Sequence, residues 1–174
     1  MSDWLDGPLL FLDIDGVLNS VEYLQRGGSL SCVTDGIDPR AVAQLQRVVD
    51  ATDCSLILSS SWRTFYTLAE IRQKLVDKGM RYPCPLRDKT PDFSFDGPRR
   101  LEDPRLRFVE ANLSRYQRGR EVSAWIAEHR FSGRYVCVDD DADFLPIQPL
   151  VRTSFQQGLT VERADRCIDI LKKG

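Results

Sequence analysis

The stretch Leu9-Leu10-Phe11-Leu12-Asp13-Ile14-Asp15-Gly16 decides the fold that we expect for this sequence. An apolar run without polar alternation is typical of a strand that is buried on both faces of a parallel sheet. Two carboxylates end the run at a spacing that puts both on one side of a straight strand, and Gly16 permits a sharp turn after them. Acids at the end of an apolar strand are costly unless a cation or a chemical role compensates for them.

The same order of buried strand, turn and amphipathic helix recurs along the 174 residues. Further strands are predicted at 55–59, 134–138 and 150–153, and helices at 38–49, 64–78, 120–130 and 160–172. This alternation predicts one α/β domain with a mostly parallel sheet. Two stretches interrupt it, at about 19–37 and 82–117, and we interpret both as small insertions that emerge near strand ends.

Composition excludes several classes of protein. The net charge of −2, with 42% hydrophobic and 29% charged residues, excludes collagen-like, coiled-coil and wholly disordered chains. No apolar run is long enough to span a membrane, and the acidic start is unlike a secretory signal. Five cysteines without a CxxC pair favour reduced thiols in a cytoplasmic protein. With His129 as the one histidine, chemistry must depend on carboxylates, hydroxyls and guanidinium groups.

Polar motifs follow the predicted strands, where parallel sheets bind their ligands. Hydroxyls at Ser59–Ser61 are able to hold a phosphoryl oxygen, although helix capping is the more common reason to find serine there. Four acids lie within Asp139–Asp143, and their mutual repulsion favours a hard cation such as Mg²⁺ over a solvated loop. Arg118 and Arg120, placed before the third predicted helix, supply guanidinium groups for phosphate.

Together these motifs resemble the haloacid dehalogenase-like (HAD) superfamily. Phe11 to Leu18 looks like its nucleophile motif, and Leu56 to Ser59 is similar to its second motif. Arg118-Gly119 resembles the third, which is usually Lys, and Val136 to Asp143 resembles the acidic fourth. The resemblance implies a Rossmann-like three-layer sandwich with a small cap or none.

A narrower resemblance covers most of the chain and points to the HAD domain of Swiss Army Knife RNA repair proteins and stand-alone bacterial relatives. The stretches that carry it are Phe11 to Asn19, Ser59 to Arg63, Lys89 to Pro91, Arg118 to Val122 and Gly158 to Thr160. This chain shows no attached ligase or kinase module.

The superfamily resemblance implies a Mg²⁺-dependent phosphatase mechanism. Asp13 would attack phosphorus, and Asp15 would protonate the leaving alcohol and then activate water. Ser59 would hold a phosphoryl oxygen, and Arg118 would offset the developing charge. Mg²⁺ would bridge Asp13, the backbone carbonyl of Asp15 and an acid of the fourth motif.

Some assignments stay open at this point. Ser60 is an alternative to Ser59, and Arg120 or, more distantly, Lys89 is an alternative to Arg118. Asp140 is the first choice for the metal acid, with Asp139 and Asp143 as supporting candidates. The remaining expected substrate contacts are Gly16, Ser60, Arg63 and Arg120.

A small cap leaves an open site, which suits bulky substrates. Between Arg99 and Arg120, seven arginines face three acids, with Phe108 and Tyr116 among them. Arginine with aromatic residues suits single-stranded nucleic acid, although a salt-bridged helix also explains this composition. The expected substrate is a phosphorylated one, such as a nucleic-acid end or a nucleotide, and nothing in the sequence indicates an oligomeric state or a membrane partner.

Other functions are compatible with parts of this pattern. A small-metabolite phosphatase would use the same fold and motifs. A receiver-like phosphoacceptor domain also combines acids, a hydroxyl and a cation, but its acid pair comes first and its acceptor Asp lies mid-chain. A Toprim-like nuclease would carry a Glu on its first strand and its DxD later, which is the reverse of the order here.

Overall fold

The computed structural model describes residues 3–26, 36–93 and 116–173. Five strands lie in these ranges and form one all-parallel sheet in the order β3-β2-β1-β4-β5. Their bounds are Leu9–Leu12 for β1, Ser55–Leu58 for β2, Leu86–Lys89 for β3, Tyr135–Asp139 for β4 and Leu150–Arg152 for β5. The predicted parallel α/β fold is confirmed, with the strand that precedes Asp13 at the centre of the sheet.

Helices cover both faces of the sheet and make three layers. They are α1 Val21–Gln25, α2 Pro39–Thr52, α3 Leu68–Asp77, α4 Gln117–Glu128 and α5 Val161–Lys172, with short 3-10 helices at Asp3–Leu5 and Ser61–Thr64. Leu10 and Leu12 enter a core with α2, α3 and α5. The alternate residues Leu9 and Phe11 pack against α4. Burial on both faces explains the continuous apolar run of β1. Within the described ranges, every helix is too short or too polar to cross a membrane.

The strand β3 was not predicted from the sequence. Leu86 is buried, but the polar residues Arg87, Asp88 and Lys89 follow it. In the described sheet β3 pairs only with β2 and therefore lies at an edge, where a strand needs less apolar surface than a central one. The stretch read as an irregular insertion at 82–117 thus contributes this strand, and its residues 94–115 lie outside the described residues.

Two helix starts differ from the predictions. The helix expected from residue 64 begins at Leu68, because Thr67 and Glu70 form a reciprocal capping box. The helix expected from Arg120 begins at Gln117, so Arg118 lies in its first turn instead of before it. The Asp143 carboxylate accepts the backbone N–H of Arg118 over 3.0 Å, and the Asp143 carbonyl accepts that of Gly119 over 3.1 Å. These bonds satisfy amides that a helix start leaves unpaired.

The strand register brings the polar motifs together at the carboxyl edge of the sheet. Leu12 pairs with Leu58 on one side and with Val138 on the other. The ladder continues one step further, because the Asp13 amide donates to the Val138 carbonyl over 3.0 Å. The Ser59 amide likewise donates to the Leu12 carbonyl over 2.8 Å. Asp13, Ser59 and Asp139 therefore end three neighbouring strands side by side.

Candidate active site

Asp13 is a buried carboxylate at the carboxyl edge, with 6% of its surface exposed. Burial raises its pKa to about 6, while a hydrogen bond from the Ser60 side chain and the charge of Arg118 lower the pKa. A desolvated carboxylate that still ionises near neutral pH is a competent nucleophile.

Asp13 belongs to an acidic cluster that it forms with Asp139 and Asp140. One carboxylate oxygen of each lies within 4.8 Å of those of the other two. Burial, and then the charge of Asp13, raise the pKa of Asp139 to about 8. Among the described residues, Asp139 Oδ2 is buried with no hydrogen-bond partner. Three converging carboxylates, one with an orphaned oxygen, fit a hard divalent cation such as Mg²⁺.

Asp143 lies outside this cluster of three. Its Oδ2 accepts the Arg118 amide, while its Oδ1 is buried without a partner among the described residues. The structure therefore places it at the start of α4, and Asp139 and Asp140 are the fourth-motif acids that converge with Asp13.

Gly16 lies in the turn after Asp15, against the Asp140 side chain. Its φ of +68° lies in the left-handed region, where residues with a side chain are strained. A Cβ added here would lie 2.4 Å from the Asp140 carboxyl carbon. The Gly16 carbonyl accepts the Thr153 hydroxyl over 2.7 Å. Gly16, expected as a substrate contact, is thus placed where it permits the close approach of Asp140.

Asp15 is held by two donors that sequence reasoning did not single out. Asn19 Nδ2 donates to Asp15 Oδ1 over 2.7 Å, and Trp62 Nε1 donates to Asp15 Oδ2 over 3.0 Å. The Asn19 side chain also accepts the Gly16 amide over 2.8 Å. Each Asp15 oxygen is therefore oriented by a fixed donor.

Arg118 and Arg120 differ in their distance from the acids. Arg118 Nε lies 3.6 Å from Asp139 Oδ2, and its Nη1 donates to Glu121 Oε2 over 3.0 Å. Burial lowers the pKa of Arg118, but the charges of four neighbouring carboxylates, with Asp13 and Asp139 the largest, together outweigh burial and raise it above its ordinary value. Arg120 is exposed, and its guanidinium lies over the Phe93 ring at 5.6 Å. Geometry thus brings Arg118, and not Arg120, to the acidic cluster.

Ser59 and Ser60 have different surroundings. The Ser60 side chain hydrogen-bonds Asp13, and its oxygen also accepts the Trp62 amide over 3.4 Å as the cap of the 3-10 helix. Ser59 Oγ is buried and has no partner among the described residues. A buried hydroxyl without a partner at a strand end is the group that a phosphoryl oxygen would satisfy.

Arg63, expected to contact substrate, lies in a buried ion-pair network. Its Nη2 is 2.8 Å from Glu121 Oε2 and 3.3 Å from Asp92 Oδ1, and its Nη1 donates to the Ser60 carbonyl over 2.9 Å. Lys89, the distant alternative for the third motif, donates to the Arg63 carbonyl over 3.3 Å and is exposed. Neither cation is in an ion pair with the cluster acids among the contacts of the described residues.

Asn19, Trp62 and Glu121 are site residues that sequence reasoning missed. All three lie inside the stretches that carry the narrower family resemblance, so their positions within the motifs were the available signal. Their function depends on contacts across the sheet edge, which spacing along the chain does not reveal.

The all-parallel sheet, with Asp13 after its central strand and acids at the end of β4, is the arrangement of a HAD-like α/β fold. The family described as "HAD domain in Swiss Army Knife RNA repair proteins" matches residues 9–164, and the chain belongs to it. Membership implies phosphohydrolase chemistry. Comparison with characterised proteins and with solved structures gave no significant match.

Proposed function

We propose that this protein is a Mg²⁺-dependent phosphatase that cleaves phosphate monoesters through an aspartyl-phosphate on Asp13. The observation that carries the proposal is the convergence of buried Asp13 with Asp139 and Asp140, next to the Arg118 guanidinium. Transfer of a phosphoryl group needs an aligned nucleophile and stabilised charge more than it needs other chemistry.

In the first step, a carboxylate oxygen of Asp13 attacks phosphorus and forms an acyl-phosphate bond, while the bond from phosphorus to the ester oxygen breaks. Asp15, in its protonated form, gives its proton to the leaving oxygen so that an alcohol departs. Asn19 and Trp62 support this proposal because they fix the direction of the Asp15 carboxyl.

In the second step, Asp15 removes a proton from water, and the water oxygen attacks phosphorus. The bond from phosphorus to the Asp13 oxygen breaks, which releases inorganic phosphate and restores both carboxyl groups. Arg118 and the Ser59 hydroxyl would hold the transferring oxygens; the closeness of Arg118 to Asp139 and the unpartnered Ser59 Oγ support these roles. A fixed Asp15 beside Asp13 favours a phosphatase over a receiver-like domain, whose phosphoaspartate must survive.

Asp13, Asp139 and Asp140 are the residues that would hold Mg²⁺, together with the backbone carbonyl of Asp15. When bound, the ion supplies positive charge that offsets the phosphoryl charge and the repulsion among the three acids. Arg118 acts on the same charges from the side of α4.

We propose nucleic-acid ends or nucleotides as the substrate class. The family description supports it, and so does an aromatic group beside Asp15. Trp62 reaches Asp15 and lies 5.2 Å from the Tyr66 ring, while the adjoining Phe65 is 78% exposed. Exposed aromatic faces stack bases. The arginines expected to bind backbone at 99–115 lie outside the described residues.

A phosphatase screen tests the proposal. The purified protein is assayed with and without Mg²⁺ on oligonucleotides with 3′-phosphate or 5′-phosphate ends, on mononucleotides and on a small aryl phosphate. We expect Mg²⁺-dependent release of phosphate, highest on the nucleotide substrates, and none from Asp13→Asn. Equal activity of Asp13→Asn would contradict the mechanism, and preference for the small aryl phosphate would contradict the substrate class.

The proposed cellular location is the cytoplasm. Cys54, Cys84, Cys137 and Cys167, the described cysteines, are all free and buried, as expected of a protein in a reducing compartment.

A further inference from the structure

Glu121 is a fully buried carboxylate on α4, with 0% of its surface exposed, and it joins three segments of the sheet edge. Its Oε2 lies 3.0 Å from Arg118 Nη1 and 2.8 Å from Arg63 Nη2, while its Oε1 accepts the Phe93 amide over 3.0 Å. Arg118 lies on the same helix, Arg63 follows β2 and Phe93 follows β3. No other carboxylate in the described ranges has this combination of full burial and two guanidinium partners.

Stability alone does not explain this arrangement. Taking charges out of water costs several kcal/mol per ion by order of magnitude, and apolar replacements of buried ion pairs are often neutral or stabilising. The neighbouring buried residues of α4, Val122 and Trp125, show that this helix face accepts apolar side chains. A charge retained here therefore points to a positional function.

The distances suggest what is positioned. Arg118 Nη1 lies within hydrogen-bond reach of Glu121, whereas Arg118 Nε stays 3.6 Å from Asp139 Oδ2, beyond a hydrogen bond. Asp139 belongs to the cluster proposed to hold Mg²⁺. Arg118 and Asp139 already form an ion pair at 3.6 Å. Without Glu121, the guanidinium could close to hydrogen-bond distance and occupy an Asp139 oxygen that the metal needs.

We propose that Glu121 is a positioning residue that holds Arg118 beside the acidic cluster and keeps its guanidinium from closing onto Asp139. Arg63 pairs with the same Glu121 oxygen as Arg118 and holds that carboxylate in place. The inference rests on the proposed phosphatase function and deepens it by assigning Glu121 and Arg63.

The test is a double-mutant cycle with two readouts, the turnover of an aryl phosphate and the calorimetric Mg²⁺ dissociation constant. Glu121→Gln keeps the acceptor for Phe93 and removes the charge. We expect kcat to fall about 10-fold or more with little change in KM, since one misplaced charge-stabilising donor costs up to about 10²–10³ in rate. Mg²⁺ binding should weaken several-fold.

In the Arg118→Ala background, Glu121→Gln should change neither readout, because Glu121 acts through Arg118. Asp88→Asn is the matched control. Asp88 accepts Trp125 Nε1 over 2.8 Å from the same helix, away from the acids, and its loss should leave kcat unchanged. Arg63→Met with Glu121→Met removes both buried charges together, so it should fold and still lose turnover.

Three results would overturn the inference: wild-type kcat in the Arg63→Met, Glu121→Met protein, an equal further loss from Glu121→Gln after Arg118→Ala, or unchanged Mg²⁺ binding in Glu121→Gln. If the wild type hydrolyses no phosphate ester, the proposed function fails. In that case, the Mg²⁺ dissociation constants of the wild type and of Glu121→Gln still test whether Glu121 positions Arg118.

Discussion

Raising the pH of the Mg²⁺-free protein should destabilise it, because two acids bind protons more tightly in the folded chain than in the unfolded one. Burial is the largest cause of both shifts and raises the pKa of Asp13 from 3.8 to about 6 and the pKa of Asp139 from 3.8 to about 8. Between the ordinary pKa of 3.8 and each raised pKa, the folded state holds more protons than the unfolded state. The free energy of unfolding therefore falls as pH rises through this window.

The size of the effect follows from about 1.4 kcal/mol per pKa unit. Between about pH 5 and about pH 8, the loss is on the order of 1 kcal/mol from Asp13 and 4 kcal/mol from Asp139. For a domain of this size, each kcal/mol shifts Tm by about 2–4 °C, so Tm should fall by roughly 10–20 °C.

Thermal unfolding in a chelator, followed by circular dichroism at several pH values, measures this loss. Mg²⁺ should restore more stability at high pH, where its ligands are ionised. Free Mg²⁺ at about 100 times its Kd should raise the free energy of unfolding by about 2.7 kcal/mol. Asp139→Asn should remove most of the dependence of Tm on pH. Asp141→Asn, at an exposed acid of the same loop, should leave that dependence unchanged.

A Tm that is constant or rises from about pH 5 to about pH 8 in chelator would contradict the assigned burial of the acids. An equal gain from Mg²⁺ at both ends of this range would show that the acidic cluster is not where the metal binds. An unchanged slope in Asp139→Asn would show that Asp139 is not the group that titrates.

Three further changes probe separate parts of the site. Asp15→Asn should lower turnover about 10²–10⁴-fold by removing the acid and base, and a steady-state rate near wild type would exclude that function. Phe65→Ala should raise KM for a phosphorylated oligonucleotide several-fold and leave an aryl phosphate unaffected. Tyr82→Ala is the control, because Tyr82 is an aromatic residue that is 87% exposed and precedes the amino end of β3, whereas Asp13 lies at the carboxyl end of the sheet. Equal KM changes in the two variants would refute base stacking. Gly16→Ala should lower Tm and weaken Mg²⁺ binding measured by calorimetry. The added Cβ would collide with the Asp140 carboxyl group, and the positive φ at residue 16 strains any residue with a side chain. An unchanged Mg²⁺ dissociation constant would contradict this.

The central part of the fold could be predicted because local sequence determines it. Leu9 to Leu12 is apolar on both faces, and only a strand between two helix layers buries it that way. The edge strand β3 could not be predicted, since Arg87 to Lys89 gain strand geometry from pairing with β2 and not from their own composition. Thr67 with Glu70 is a readable capping signal that periodicity alone overlooked.

The site was predictable to the extent that it follows strand ends. Asp13, Ser59 and Asp139 come directly after or at the end of apolar strands, so a parallel sheet must bring them together. The choice between Arg118 and Arg120 needed the helix start at Gln117, which sets the direction of each side chain. The pairing of Arg63 with Glu121 joins residues far apart in the chain, and no spacing rule predicts it.

Trapping of the covalent intermediate tests the central claim most directly. The Asp15→Asn protein is mixed with an aryl phosphate, whose leaving group departs without a proton from residue 15, and with Mg²⁺. It is then quenched and reduced with borohydride, which converts a phosphorylated aspartate to homoserine. Mass spectrometry of the peptide that contains residue 13 should then show homoserine at that position and nowhere else. Homoserine at another acid, or release of phosphate with Asp13 unmodified throughout a single turnover, would contradict the assignment of Asp13 as the nucleophile.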